Sequence, residues 1–164
     1  MRAALTVAAA VAVLSGRAST ASAQTPAPPT SSTVQILSAT RLAKLADSLP
    51  PGPINTFQLT QFEGLSNMIG RRDTSGIHER HEAFTDIFVV QRGRARLLHG
   101  GTVEGERATS QGEWRGGTIR NGSESELRPG DIVVIPAGIP HQLLLGPGDS
   151  FVYFVFKVAK NPAR

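Results

Sequence analysis

The stretch from Gly130 to His141, which reads GDIVVIPAGIPH, restricts the fold of this chain more than any other part of it. Its branched apolar run, Ile132 to Ile135, is typical of a buried strand. Two prolines and a glycine then end that strand and turn the chain tightly. His141 leaves the turn directly before a second apolar run, Leu143 to Leu145. A histidine between two core strands is held rigidly, as a metal ligand or an acid–base group must be.

Four positions of this stretch follow a fixed spacing: a glycine, five residues, a proline, one residue, a glycine, two residues and a histidine. They are Gly130, Pro136, Gly138 and His141. This spacing resembles the second motif of the cupin family. The family usually adds an asparagine four residues after the histidine, where this chain has Leu145. The resemblance implies that a first cupin motif lies upstream.

The upstream stretch HERHEAFTDIFVVQRG resembles that first motif. His81 takes the place of the motif's second histidine, Asp86 the place of its acid, and Gly93 the place of its closing glycine. There are two departures from the family pattern. Glu79 stands where the family has its first histidine, with His78 displaced by one residue, and the acid is aspartate instead of glutamate.

The two motifs together imply an all-β fold, the cupin-type double-stranded β-helix, or jelly-roll, barrel. The resemblance covers roughly residues 65–158, within a single domain that we place at residues 34–164. Ahead of the barrel, Ser38 to Leu49 carries leucines on one face and ends at a run of prolines. This pattern predicts a short helix that packs on the outside of the barrel.

Several apolar runs predict the strands of the barrel. Gly93 is available for a positive backbone angle, which predicts a hairpin there. In that hairpin, Ala95 to His99 pairs back on the strand that contains Asp86 to Val90. Phe151 to Val158 is a nearly continuous apolar run, so we expect it to be buried on both faces. One barrel face does not need so much apolar strand, and we therefore expect a homodimer.

The segment of residues 100–128 is long, polar and rich in glycine. A segment of that length without secondary structure is unusual in a compact domain, so we expect one or two short strands around Gly116 to Arg120. Trp114, the only tryptophan, lies there. It either covers the mouth of the barrel or packs as an ordinary apolar residue.

The first residues resemble an export signal. Arg2 precedes the apolar run Ala3 to Leu14, which is too short to span a bilayer, and Ala21-Ser22-Ala23 is typical of a cleavage site. We expect a signal peptide at residues 1–23 and a disordered linker rich in Pro, Ser and Thr at residues 24–33. The mature protein is then periplasmic or extracellular, with no membrane segment after cleavage.

Composition limits the chemistry of the mature chain. Removing Arg2 and Arg17 leaves 15 basic against 13 acidic residues, a net charge of +2, and no nucleic-acid motif is present, so we expect no nucleic-acid partner. The chain has no cysteine. Thiolate metal sites and cysteine nucleophiles are therefore excluded, and nitrogen and oxygen atoms must hold any metal.

Strand periodicity brings four side chains of the two motifs together. Residues two apart on a strand face the same way, so Glu79 and His81 should point together and His78 away. If they face the barrel interior, they converge with Asp86 and His141. Two imidazoles and two carboxylates suit a divalent Fe, Mn, Zn or Ni ion.

Two alternatives remain open at this site. A bulge after His78 would bring that residue in, instead of Glu79, and give the family's usual three histidines and one acid. The same groups could also form a polar cluster in a metal-free barrel. His99 has no motif around it, and we expect it to be a surface residue at a strand end.

Two functions follow from the resemblance. The first is a metal-dependent enzyme, such as a dioxygenase, isomerase or lyase, that acts on a small molecule. The second is a non-catalytic module, with or without a metal, that binds a small ligand in the same cavity. We expect Phe88, Ile139 and Leu143 to line this pocket, and we see no cluster suited to a charged substrate.

Overall fold

The structure is a computed structural model and describes residues 34–160 of the 164-residue chain. These residues form a helix, α1 (Ala39–Ser48), and thirteen strands. In chain order the strands are β1 (Asn55–Phe62), β2 (Leu65–Arg72), β3 (Glu79–His81), β4 (Phe84–Gly93), β5 (Ala95–His99), β6 (Thr102–Glu104), β7 (Arg107–Ser110), β8 (Glu113–Arg115), β9 (Thr118–Arg120), β10 (Ser123–Leu127), β11 (Ile132–Ile135), β12 (His141–Leu144) and β13 (Phe151–Ala159). The signal peptide and linker expected at residues 1–33 lie outside the described residues and stay predictions.

Two antiparallel sheets face each other and enclose the core. One has five strands in the order β1-β2-β13-β4-β11, and the other has six in the order β10-β5-β12-β3-β8-β7. Strands β6 and β9 form a separate pair. The main cluster of buried apolar side chains takes members from both sheets, including Phe88 of β4, Leu97 of β5, Leu143 of β12 and Phe151 of β13. The predicted all-β jelly-roll barrel is confirmed.

The N-terminal helix forms where the leucine pattern predicts it. Its N-cap is Ser38, whose hydroxyl accepts a hydrogen bond from the backbone N–H of Arg41 at 3.3 Å. Ala46 and Leu49 pack against the outer face of the five-stranded sheet, where they meet Phe154 of β13. Within residues 34–160, no helix is long and apolar enough to cross a membrane.

Strand β13 has two apolar faces because each is covered from within the chain. Phe151 and Tyr153 belong to the barrel core, and the alternate residues Val152 and Phe154 pack with the helix. The helix therefore accounts for the apolar residues that suggested a dimer. The homodimer stays a prediction, without this reason for it.

The expected hairpin at Gly93 is wrong in its pairing. β4 pairs with β13 and β11, whereas β5 pairs with β10 and β12 of the other sheet. Gly93 ends β4 with a φ of +77°, and the chain crosses there from one sheet to the other. A sequence pattern marks this turn, but the sheet that the next strand joins depends on the closed barrel.

Strand β11 is also less buried than its apolar run predicts. Ile135 is buried and Val133 partly buried, but Ile132 and Val134 are 68% and 59% exposed. The reason is that β11 is the edge strand of the five-stranded sheet, so the helix that covers β13 does not reach it.

The segment of residues 100–128 contains more strand than expected. It holds the five short strands β6 to β10, of which β7 and β8 extend the six-stranded sheet beside β3. Trp114 packs on the outside, where its Nε1–H donates to Glu82 at 2.8 Å and the Arg80 guanidinium lies 4.7 Å from its ring. It is an outer packing residue and does not cover the barrel mouth.

Candidate metal centre

The candidate site lies inside the barrel, between the two sheets. β3 carries Glu79 and His81, and β12 begins at His141, which pairs with Glu79. The facing sheet supplies Asp86 from β4, and Lys157 of β13 is its direct cross-strand neighbour. The structure therefore brings Glu79, His81, Asp86 and His141 together, with a lysine among them that the motifs do not include.

The turn before His141 places this histidine. Gly138 has a φ of +86°, a conformation that favours glycine. Its backbone N–H donates to the carbonyl of His81 at 2.7 Å. This bond ties the turn to β3, so the same contact positions both histidines.

The ligand atoms of the site lie close enough to share one ion. Glu79, His81 and His141 each offer one such atom, all within 4.8 Å of one another. The Nε2 atom of His81 lies 3.5 Å from Oε2 of Glu79 and 3.3 Å from Oδ2 of Asp86. The Nε2 atom of His141 lies 3.9 Å from the same Asp86 oxygen. Glu79 is half-buried, and the other three residues are buried.

Hydrogen bonds on the far side of each ring orient the two histidines. Nδ1 of His81 lies 2.7 Å from Oε2 of Glu113, and Nδ1 of His141 lies 3.1 Å from the carbonyl of Ile139. Each Nδ1–H can therefore donate outward while Nε2 faces the site, as second-shell partners do for metal-bound histidines. Burial lowers the pKa of His141, so this ring is neutral. Its Nε2 has no hydrogen-bond partner among the described residues.

Lys157 holds a positive charge at the centre of this group. Its Nζ lies 2.9 and 3.1 Å from the two carboxylate oxygens of Asp86 and 3.0 Å from Nε2 of His81. An imidazolium has no acceptor for an ammonium, so this contact assigns the neutral ring, with its proton on Nδ1, to His81 in this arrangement.

The charges of the site shift three of its pKa values. Burial opposes the charge on Asp86, but the hydrogen bond with His81 and the charge of Lys157 outweigh it and lower the pKa of Asp86. For Glu79, burial is outweighed by the hydrogen bond with His81 and by neighbouring cations, Arg115 first, and the pKa falls to about 2. Burial and the charge of Lys157 oppose a charge on His81, but the neighbouring Asp86 and Glu79 favour it and raise the pKa of His81. A protonated ring would donate from Nε2 to these carboxylates and lose its contact with Lys157, so the contact at 3.0 Å belongs to the neutral form.

The donor set fits a divalent metal. Imidazole nitrogens and carboxylate oxygens are the ligands that Fe, Mn, Zn and Ni accept, and the unpartnered Nε2 of His141 points into the group. Glu79, His81 and His141 would hold the ion, with Asp86 beside them. Lys157 is the one feature that does not belong to a metal ligand set.

His78 lies on the other side of β3. It is 1% exposed, and its Nδ1 lies 2.8 Å from the carbonyl of Gly116, at the end of β8. β3 pairs with β8 without a register shift, Glu79 opposite Arg115 and His81 opposite Glu113. The structure therefore has no bulge that would bring His78 into the site in place of Glu79.

A cavity of about 110 Å³ opens next to the site. Phe88 and Leu143 line it, as expected from the sequence. Ile139, also expected there, does not line this cavity; it is 37% exposed and lines a different pocket, with Leu97 and Ile135. Two cationic side chains that the sequence analysis did not place there, Arg72 and Lys157, also line the cavity. His99 does not, and its Nε2 lies 3.2 Å from Ser125 at the surface.

Sequence reasoning missed several residues of the site. Lys157 gave a usable signal, since it is the only charged residue in the apolar run of β13 and lies two positions from Val155, which faces the core. Glu113 and Arg115 gave none, because they come from β8, which reaches the site only through its pairing with β3. Arg72 closes β2 and donates to the Tyr153 hydroxyl at 3.2 Å.

We expect the metal-free barrel to lose stability in acid between about pH 4.5 and pH 2. Folding lowers the pKa of Glu79 from 4.5 to about 2. A carboxylate with a lowered pKa stabilises the fold above its ordinary pKa, and this stabilisation is lost as the pH falls through the folded-state value. Melting temperatures measured with a chelator should fall over this window, and less steeply for Glu79→Gln. If the melting temperatures of wild type and Glu79→Gln fell equally with pH, the loss of stability could not be assigned to Glu79.

Comparison with known proteins gives the fold and little more. No protein-family model matches the chain, and no curated protein matches it significantly. An uncharacterised protein with a double-stranded β-helix domain from Klebsiella pneumoniae is similar, with 15% identity over 80% of this chain and 95% of that one and a TM-score of 0.55. A conserved protein of unknown function from Streptococcus pyogenes has 14% identity over 84% of this chain and 98% of that one, with a TM-score of 0.50.

Larger proteins match only in part. A recombinant oxalate oxidase has 18% identity to this chain over 68% of its residues. The chain spans 53% of that protein's length, with a TM-score of 0.47. This likeness is too distant to carry an argument about activity.

Proposed function

We propose, from the cupin-type double-stranded β-helix fold that this chain has, that the protein binds one divalent metal ion in its barrel and acts there on a small molecule. The observation that carries the proposal is the orientation of the two histidines. Hydrogen bonds at Nδ1 turn both Nε2 atoms toward Glu79, within 4.8 Å. A metal held there supplies Lewis-acid or redox chemistry of the kind that dioxygenases, isomerases and lyases use.

The chain's own residues then bind and orient the small molecule. The cavity beside the site has apolar walls, including Phe88, Leu143 and Val155, and places Arg72 at its edge. Arg72 is 9% exposed and already donates to Tyr153 and, at 3.4 Å, to Glu79. A buried guanidinium fixed in this way favours a ligand with an apolar body and an oxygen acceptor.

A second candidate function is favoured by one observation. Lys157 already neutralises Asp86 with a cation that belongs to the chain. A barrel balanced in this way needs no metal and could bind a small ligand without catalysis. The export of the protein, to the periplasm or the exterior, remains a further proposal and rests on residues 1–23 alone.

Metal content tests the proposal and the choice of ligands. Purified protein should hold close to one divalent metal per chain by elemental analysis. Glu79→Ala should lower the affinity for metal at least about tenfold, because a removed ligand costs no less than a removed second-shell partner. His78→Ala is the matched control and should keep the metal, since His78 faces the other side of β3. Loss of metal in His78→Ala with full retention in Glu79→Ala would contradict the ligand set, and wild-type protein without metal would favour the binding module.

A further inference from the structure

We propose that Lys157 and a divalent metal ion occupy the same site in exclusion of each other, so that the lysine ammonium is the built-in cation of the metal-free barrel. This inference rests on the proposed function, since it concerns the same ligands. It adds a residue outside both sequence motifs that decides how readily the site takes up metal.

The first argument is the single lone pair of a neutral imidazole at Nε2. His81 uses it to accept a hydrogen bond from Lys157 Nζ at 3.0 Å. A nitrogen that accepts this bond has no electron pair left for a metal. Metal coordination by His81 therefore requires Lys157 to leave.

The second argument is charge. The ammonium lies 2.9 and 3.1 Å from the two oxygens of Asp86. A metal bound by His81 would lie within a few ångströms of this ammonium, and like charges at such distances repel strongly in a buried site. Asp86 is almost fully buried, so little water is present to screen the repulsion.

The third argument is that the Lys157 side chain has free space beside the site into which it can move. Its side chain is 22% exposed, against 3% for Asp86 and 2% for His81. It also lines the cavity beside the site. A long lysine side chain can turn into this space without unfolding β13. The metal-free and metal-loaded sites would then differ by one side-chain movement.

The mutual exclusion of Lys157 and metal explains how the charge of Asp86 is neutralised in both states of the protein. A buried carboxylate without a partner is strongly destabilising. In the metal-free protein Lys157 partners Asp86, and in the loaded protein the metal's charge replaces it. Removing the lysine should therefore lower the stability of the metal-free protein and raise its affinity for metal.

The test compares Lys157→Met with Lys160→Met and wild type. Methionine keeps much of the length of the lysine stem and removes its charge. Lys160 is exposed, and its backbone N–H, which the substitution leaves in place, donates to the carbonyl of Ala83. Zinc and manganese affinities are measured by competition with a chromophoric chelator, and melting temperatures are measured with a chelator and with saturating metal.

We expect Lys157→Met to bind metal at least about tenfold more tightly than wild type, the lower end of the effect of a nearby like charge. Its metal-free form should melt roughly 10 °C lower than wild type, because Asp86 loses its cation, and saturating metal should restore most of this loss. Lys160→Met should match wild type in both measurements.

The outcomes separate this inference from the proposed function. Metal binding by wild type with equal or weaker binding by Lys157→Met overturns the exclusion and leaves the metal site standing. Binding by Lys157→Met alone supports the exclusion and removes the metal from the function of the natural protein. Absence of binding in all three proteins overturns both.

Discussion

Replacing either His81 or His141 by alanine is expected to reduce bound metal from about one ion to less than about a tenth of an ion per chain. Each ring presents Nε2 to the same small volume as Glu79, and its Nδ1 is fixed by a hydrogen bond. Losing one such ligand should lower the affinity more than the 10- to 100-fold typical of a lost second-shell partner. Elemental analysis after dialysis against a weak chelator measures the effect.

The barrel should stay folded in both variants. Neither histidine is part of the apolar core that joins the two sheets, so the far-ultraviolet circular dichroism spectrum should keep its strand signature. His99→Ala is the control, since His99 lies at the surface, where its ring contacts Ser125. It should change neither metal content nor fold. Full retention of metal in both His81→Ala and His141→Ala would end the metal hypothesis and leave the ligand-binding module as the better account.

The largest effect on stability is expected from Gly93→Ala. Gly93 has a φ of +77°, and a Cβ added there would lie 1.8 Å from the backbone oxygen of Ser150. Gly93 also pairs with Phe151, a fully buried residue of the barrel core, so the backbone of neither strand is free to move away. We expect the free energy of unfolding to fall by more than about 4 kcal/mol, a large part of the roughly 5–15 kcal/mol of a typical domain.

Gly148→Ala provides the matched control for Gly93→Ala. Gly148 has a similar φ of +81°, but an added Cβ would meet nothing within 4 Å. Only the strain of the left-handed conformation should remain, about 1–2 kcal/mol. Urea unfolding of the two variants compares them directly. If the two variants lost equal free energy of unfolding, the close approach of Ser150 would not be what constrains Gly93.

The sequence alone determined the longer strands, the turn before His141 and most of the candidate ligands. The spacing from Gly130 to His141 requires a strand, a tight turn and a rigid histidine, and Gly138 has the positive φ that such a turn needs. Strand alternation placed Glu79 with His81 and turned His78 away. These features depend on local geometry, in which φ and the two-residue period of a strand act over a few neighbouring positions.

Tertiary structure alone decided which strands pair and which charges meet. β5 leaves β4 for the other sheet, and β8 brings Glu113 to His81 from 32 residues away in the chain. Lys157 meets Asp86 only because β13 and β4 are neighbours in the closed barrel. Local propensity carries no information about such contacts, since their stability comes from the burial and hydrogen bonding of groups far apart in sequence. The cation that competes for the candidate metal site is therefore visible in the fold and absent from both motifs.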